Sequence, residues 1–298
     1  MVCIMAPAHS NKHIKSQESL QAGGAGELFV VATPIGNLGD ITLRALETLK
    51  SVDAIACEDT RTSAALLSHY GISTRTLSYH DHNEASMTPK LVEQLQQGMK
   101  LALVSDAGTP LVSDPGARLV AAAAQAGIRV TPLPGASALL AGLTMAALPT
   151  DAFYFGGFLP QKKQALAEAL LALKTLPATL AFYEAPHRLV DTLQALHAHL
   201  GDRSAAVARE ITKLYEECPR GTLLQLLAHF TAHPPRGECV VLVQGMQAQD
   251  AMDDAAIDHA LTEAMARLSL KEAVAEVTAV SGRPKRDIYQ RALSLAGK

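Results

Sequence analysis

At 298 residues, with 48% hydrophobic and 18% charged side chains, the chain has an ordinary globular composition and room for two domains and a large core. A formal net charge of −3 excludes a polyanion binder working through overall charge, so any nucleic-acid contact must come from a local basic face. The four cysteines, Cys3, Cys57, Cys218 and Cys239, are scattered without a CxxC pair, which points to a reducing compartment and against a structural zinc site. Residues 1–26 carry no apolar signal-peptide core and read as a flexible lead-in ending in AGGAG. The longest weakly polar run, Ala136 to Leu148, is too short to span a bilayer, so a cytoplasmic protein is expected.

ELFVVAT (27–33) reads as a buried strand, and Asp40 as the N-cap of the helix ITLRALETLK. Between them, ATPIGNLGD (32–40) has a GxxG arrangement, Gly36 and Gly39, and lacks the GxGxxG dinucleotide fingerprint. Pro34 and Gly36 shape either a backbone wall for a ligand or a plain strand-to-helix turn. VDAIAC (52–57) is a second strand, followed by a helix capped at Thr60 and stopped by Gly71. At its end, CEDTR (57–61) gathers Glu58, Asp59 and Arg61: a general base with its ionising partner, or a surface ion pair beside a cap. TRTLSYH (74–80) is a short third strand leading to a helix through LVEQLQQ. SYHDHNE (78–84) places His80, His82, Asn83 and Glu84 there; with no third ligand evident no metal is expected, and a polar substrate-contacting loop fits better.

KLALVS (100–105) and IRVTPL (128–133) are the fourth and fifth strands, and the alternation implies parallel βαβ units up to about Leu148, where Pro149 interrupts it. The segment VSDAGTPLVSDPG (104–116) is the most informative of the chain. It follows a buried strand, where open α/β sheets bind ligands, and its glycines and prolines let a ligand approach the main chain. Asp106 and Asp114 make it acidic, and no phosphate-cradling Lys is present, which suits a cationic ligand such as S-adenosylmethionine; two Asp/Gly/Pro turns capping a helix are the alternative. LPGASALL (133–140) opens a helix of small residues against which a flat ring, such as adenine, or simply the sheet can pack.

Beyond residue 149, AFYFGGF (152–158), ATLAFYE (178–184), RSAAVARE (203–210) and GECVVLVQG (237–245) read as strands, with helices over Lys162–Lys174, Pro186–Leu200 and Thr222–Ala232. TKLYEECPRG (212–221) pairs antiparallel with its neighbour in this reading, giving a mixed sheet. FYEAPHR (182–188) offers the Tyr183 ring for stacking, with Glu184, His187 and Arg188 at a helix start, and is expected to help close a ligand pocket. QAQDAMDD reads as a linker, and residues 246–298 as a linker plus two or three short helices broken at Ser281–Pro284. After Ser281, five cations including Arg283, Lys285, Arg286 and Arg291 face only Asp287: a phosphate-docking helical unit, or a solvated face.

In order, ATPIGNLGDIT, CEDTR, SYHDHNE, VSDAGTPLVSDPG, LPGASA, FYEAPHR, ARE-ITK (208–213) and RGECVVLV closely resemble the ribosomal RNA small-subunit methyltransferase I family of the tetrapyrrole methylase fold. The resemblance covers about residues 27–298; ITK stands where LTK is usual and CPRG where VRG-like runs are common, neither removing a candidate polar contact. It implies two α/β domains, the first (27–148) with a parallel sheet and the second (149–245) with a mixed one, plus a C-terminal helical RNA-docking module. It also implies a homodimer that uses S-adenosylmethionine to methylate the ribose 2′-hydroxyl of a cytidine in the decoding region of 16S rRNA. The small ribosomal subunit is then the partner, with no membrane and no DNA.

Carried onto this chain, the cofactor residues are Pro34, Asp106, Gly108, Leu111, Ser113, Pro134, Gly135, Ser137, Ala138 and Tyr183. The acceptor side falls to Glu58, Asp59 and His80 as candidate bases, with Arg61 and Asn83 orienting the substrate, and RNA docking to Arg188, Arg283, Lys285, Arg286 and Arg291. Two rival readings use the same fold: a tetrapyrrole-methylating enzyme and a non-catalytic RNA-binding protein. The basic C-terminal unit argues against the first, and the polar strand ends against the second.

Overall fold

The computed structural model describes residues 26–247 and 252–297. The lead-in expected over 1–26, apart from Gly26, and the middle of the expected linker, 248–251, lie outside them. Contacts divide the chain into two compact units. Of the described residues, the first takes 26–32, 42–106 and 114–134; the second takes 33–41, 107–113, 135–247 and 252–297.

In the first unit, β1 (Glu27–Val31), α1 (Leu43–Ser51), β2 (Ala54–Cys57), α2 (Thr60–His69), β3 (Thr76–Ser78), α3 (Glu84–Gln96), β4 (Lys100–Val104), α4 (Ala117–Gln125) and β5 (Arg129–Leu133) alternate. All pairings are parallel, in the order β3-β2-β4-β1-β5. All four residues of β2 are buried, as are four of the five in β4, hence their continuous apolar runs. The connections leaving β1 and β2 run one way across the sheet and the one leaving β4 runs the other. Such a reversal opens a crevice at the carboxyl ends of the strands involved.

Two helix caps differ from the sequence expectation. Asn37 Oδ1 accepts from the Gly39 amide at 3.0 Å and starts a short 3₁₀ turn, Leu38–Asp40. The chain then runs extended through Ile41, so the cap of α1 passes from Asp40 to Thr42, whose hydroxyl accepts from the Ala45 amide at 3.1 Å. Asp59 caps α2 in place of Thr60, accepting from the Arg61 amide at 2.8 Å.

The second unit contains α5 (Ala138–Met145), β6 (Phe153–Phe158), α6 (Lys163–Leu173), β7 (Thr179–Glu184), α7 (Leu189–Leu200), β8 (Ser204–Arg209), β9 (Arg220–Thr222), α8 (Leu223–Ala232) and β10 (Cys239–Val243). Its sheet, β6-β7-β10-β8-β9, is mixed: β6 pairs parallel with β7, and the other pairings are antiparallel. One face carries a core of Phe182, Leu193, Val207, Phe230, Val241 and their neighbours beneath the helices. The other face is built from Ala181, Ala206, Ala208, Val240 and Leu242 and lets α5 close in, so that a Cβ at Gly142 would stand 3.0 Å from Val240 Cγ1. This packing draws α5 to the second sheet, although Pro149 had suggested a boundary beyond that helix.

At the C-terminus α9 (Asp254–Met265), α10 (Leu270–Ser281) and α11 (Lys285–Leu295) share a core of their own, led by Ile257, Leu261, Val274, Val277 and Ile288. A capping box between Ser269 and Glu272 starts α10, and Gly282, in the left-handed conformation at φ 66°, ends it before Pro284 opens α11. Among the described residues, no helix is long and apolar enough to cross a membrane.

Candidate functional site

The carboxyl end of the first sheet carries a group of acids. The Asp59 amide donates to Asp106 Oδ1 at 3.0 Å, tying the end of β2 to that of β4. The Asp59 carboxylate is held by Arg61: Oδ1 accepts from Nε at 3.1 Å and Oδ2 from Nη2 at 2.6 Å, besides the cap bond. These bonds keep its pKa at about 2. So weak a base, already engaged on both oxygens, is a poor proton acceptor. Glu58 is its opposite. Burial raises its pKa first, and the charges of Asp106, Asp114, Asp81 and Asp59 raise it further. Asp114 is raised too, by burial and then by Asp106 and Asp81 against a hydrogen bond from Ser105. Two carboxylates with neighbouring environments and opposite shifts are the pattern that separates a general base from a structural anion.

The β3–α3 turn sorts the other two candidates. Asn83 Oδ1 accepts from the His80 amide at 2.9 Å, and its Nδ2 donates to the Ser78 carbonyl at 3.0 Å. Both ends of that amide fasten the turn, which assigns Asn83 to the scaffold. His80 Nδ1 is buried with no hydrogen-bond partner among the described residues, and its ring meets His82 edge-on at 5.9 Å. A buried polar atom without a partner is uncommon and marks the ring as available to a ligand.

In the second unit the turn after β1 and the loop after β4 are joined as a two-residue bridge. The Thr33 amide donates to the Gly108 carbonyl at 2.8 Å and the Gly108 amide to the Thr33 carbonyl at 3.0 Å. Gly108 has φ +80°, and a Cβ there would lie 3.3 Å from Ile35 Cγ2. Leu111 and Ser113 are left-handed as well, at φ 73° and 68°. Such residues cost about 1–3 kcal/mol each and cluster at functional sites. Thr109 Oγ1 donates to the Ala136 carbonyl at 3.1 Å, joining the loop to the turn before α5. Ser137 Oγ caps that helix at Leu140, at 3.4 Å, and Ala138 lies partly buried in the core beneath it. Gly135 is exposed, as is Pro134 in the first unit. The loop residues of the second unit form a cradle whose walls are backbone and small side chains, and the acids of the first unit are a countercharge of the kind a sulfonium or ammonium needs. Both features fit S-adenosylmethionine.

FYEAPHR is locked by a buried carboxylate. Glu184 accepts from the Ala185 amide at 2.8 Å and from Thr192 Oγ1 at 2.5 Å, and pairs with Arg188 Nε at 3.5 Å. Arg188 Nη2 also donates to the Leu159 carbonyl at 3.0 Å, so this guanidinium, expected to meet RNA, is turned into the protein. The lock holds Tyr183, whose ring packs edge-on against Phe155 at 4.9 Å and Phe158 at 5.8 Å. Replacing Glu184 by Ala is expected to lower stability by about 3–5 kcal/mol, because the Arg188 charge and Thr192 hydroxyl lose their partner. Chemical denaturation checks this, and a loss below 1 kcal/mol would show that the lock contributes little.

The tail corrects the charge count. Arg291 pairs with Asp258 through Nε at 2.5 Å and Nη2 at 2.9 Å, and with Asp254 through Nη1 at 2.8 Å; Arg283 lies 3.5 Å from Asp254. These two cations close the bundle against acids of α9 that precede the basic run and were left out of its tally. Lys285 and Arg286 are exposed and form no ion pair among the described residues.

Sequence reasoning missed one feature of this unit, the ion group of Lys213, Glu210 and Glu238 beside Gly36. The motif ARE-ITK was visible, but nothing in it told which carboxylates the lysine would meet.

Comparison with known proteins identifies the family and the fold. Residues 27–227 match the family described as "Tetrapyrrole (Corrin/Porphyrin) Methylases", and residues 251–296 match the "RsmI C-terminal HTH domain". The chain is 52% identical over 270 residues to the "Ribosomal RNA small subunit methyltransferase I" of Mesorhizobium japonicum, covering 90% of this chain and 92% of the relative. It is 46% identical over 277 residues to the protein of that name from Escherichia coli O157:H7, covering 91% and 96%. Among solved structures, a conserved hypothetical protein from Aeropyrum pernix K1 superposes with a TM-score of 0.59 at 16% identity, over 92% of this chain and 97% of that one. A cobalt precorrin-4 methyltransferase superposes at 0.55 and 17% identity, over 73% and 94%. The parallel and mixed sheets and the C-terminal helices are those of the family to which this chain belongs, ribosomal RNA small subunit methyltransferase I, on the tetrapyrrole methylase fold.

Proposed function

We propose that this protein is an S-adenosylmethionine-dependent methyltransferase that 2′-O-methylates the ribose of a cytidine in the decoding region of 16S rRNA, acting in the cytoplasm on the small ribosomal subunit. Identity of 52% over nine-tenths of the chain carries the reading. Loop 106–113, with Pro34, the 134–138 turn and Tyr183, holds the cofactor. S-adenosylmethionine supplies a methyl group already activated by its sulfonium, whose transfer leaves a neutral thioether. The chain's task is then alignment, which can supply roughly 7–11 kcal/mol of barrier lowering, and removal of the hydroxyl proton. Glu58 takes that proton, with His80 beside the acceptor; Asp59 and Arg61 hold the start of α2. The test is to incubate the protein with methyl-labelled cofactor and small subunits and map the label. A cytidine 2′-oxygen is the expected site; label on a base, or transfer only to a porphyrinoid, overturns the reading.

The tail docks the RNA through Lys285 and Arg286 on the exposed start of α11, where the positive end of the helix dipole adds to their charge. Lys285→Glu with Arg286→Glu is expected to weaken binding to small-subunit RNA and reduce the log–log salt slope by about 0.7–0.9 for each lost phosphate contact. Arg291→Ala acts differently. It frees Asp254 and Asp258 and loosens the bundle, which thermal unfolding detects. Parental affinity and slope in the double variant would return the tail to a solvated cap. A homodimer, which the resemblance implies, belongs to this proposal as well. Sedimentation equilibrium tests it.

A further inference from the structure

We infer that Lys213 is a positioning residue for the cofactor cradle, clamping the turn that carries Pro34 and Gly36 from behind; the inference rests on the reading of that cradle given above. Its side chain runs across Gly36, where a Cβ would come within 2.6 Å of Lys213 Cγ and 2.9 Å of Cε. The stem therefore fills the place of the side chain that Gly36 lacks. The ammonium is fixed at the far end by Glu210 Oε1 at 3.0 Å and Glu238 Oε2 at 3.3 Å.

The surrounding backbone is shaped to hold this arrangement. Glu210 and Thr212 are left-handed without being glycine, at φ 50° and 68°. The Glu210 carboxylate occupies the space over Gly237, where a Cβ would meet Oε1 at 1.9 Å. Between them Ile211 is buried in the same apolar cluster that Ile35 packs against. The Lys213 amide donates to the Glu210 carbonyl at 2.9 Å and the Thr212 amide to Glu216 Oε2 at 2.6 Å, so the strained segment is tied at both sides.

Contact then passes from this segment to the cradle. Lys213 bears on Gly36, Ile211 shares a cluster with Ile35, Ile35 stands against Gly108, and Thr33 is hydrogen-bonded to Gly108 in both directions. All these residues belong to one compact unit. A stem of four methylenes laid across a glycine with its charge tethered beyond is a rigid strut, and removing the tether lets the turn move relative to Gly108. The consequence falls on cofactor affinity, since the chemistry and the RNA contacts use other residues.

The experiment compares full-length Lys213→Met, Lys213→Arg and Gly108→Val with the parent. S-adenosylmethionine binding is measured by calorimetry, and kcat and both KM values by steady-state transfer to small subunits. Lys213→Met keeps the stem's bulk and loses the tether. It is expected to raise the cofactor Kd at least tenfold while kcat at saturating cofactor and KM for the RNA substrate stay within twofold. Lys213→Arg restores most of the affinity. Loss of cofactor binding in Gly108→Val with parental binding in Lys213→Met overturns the inference alone. Parental binding in both overturns the cradle reading and the inference with it. An equal decline of kcat, both KM values and melting temperature in Lys213→Met makes the lysine a general staple and overturns the positioning role.

Discussion

Valine at Gly108 is expected to abolish measurable S-adenosylmethionine binding, with a dissociation constant at least a hundredfold above the parent's, or about 2.8 kcal/mol. Two physical effects act together. At φ +80° a β-branched residue sits in a region that L side chains avoid, which costs roughly 1–2 kcal/mol and favours rotation of the peptide. The added carbon lies 3.3 Å from Ile35 Cγ2, and its two methyls go further, so Ile35 or the loop must move. Either movement strains the paired Thr33–Gly108 hydrogen bonds that hold the cradle shut. Asp106→Ala should weaken binding less, because it removes countercharge and the acceptor for the Asp59 amide while leaving the loop path intact. Calorimetry on both variants decides the matter, and unchanged affinity in both would remove loop 106–113 from cofactor binding.

Much of the architecture was legible because buried parallel strands advertise themselves. AIAC and LALV are continuous apolar runs since both their faces are covered, and the turn chemistry at Gly71, Gly127 and Gly282 ends helices where the chain needs a left-handed residue. Caps were less legible. Asp40 and Thr42, or Asp59 and Thr60, are chemically equivalent choices one or two positions apart, and the choice depends on the path of the preceding turn. The boundary at α5 was hidden for another reason. Its partners on strands that follow it in sequence are mostly alanines, beside Val240 and Leu242, and small residues give no signal of which sheet they face.

The site was legible as a set of segments but not as a division of labour. CEDTR shows two adjacent carboxylates, and nothing in the string says that Arg61 folds back on Asp59 while Glu58 is left among like charges. SYHDHNE shows an asparagine, and only the turn reveals that both ends of its amide are spent on backbone. The tail repeats the lesson at longer range. Asp254 and Asp258 precede Arg291 by some thirty residues, so a local charge tally counted as free a cation that the bundle had already neutralised.

Glu58→Gln is expected to lower kcat by about 10²–10⁴-fold at neutral pH, the range supplied by a positioned general base, with little change in cofactor affinity. The sign of the pH dependence follows from the cause of its shift. Burial and four neighbouring carboxylates disfavour the charged form, so the acid limb of kcat should lie above the ordinary carboxylate range and activity should rise as pH climbs through it. Asp114→Asn removes one of those charges and should move the limb to lower pH, whereas Glu58→Gln should flatten it. Stability runs the other way. A carboxylate whose pKa is raised on folding stabilises the fold while protonated and loses that contribution as pH rises through its folded value. Above that folded value the ionised Glu58 is therefore a liability, and there the Gln variant should melt no lower than the parent while being nearly inactive. Asp59→Asn should do the reverse, loosening the cap of α2 with a smaller loss of kcat, since a carboxylate at about 2 and clamped by Arg61 was never available to take a proton. If Glu58→Gln keeps parental kcat across the pH range, the proton leaves by another route, and His80, with its unpartnered buried nitrogen, becomes the base to test.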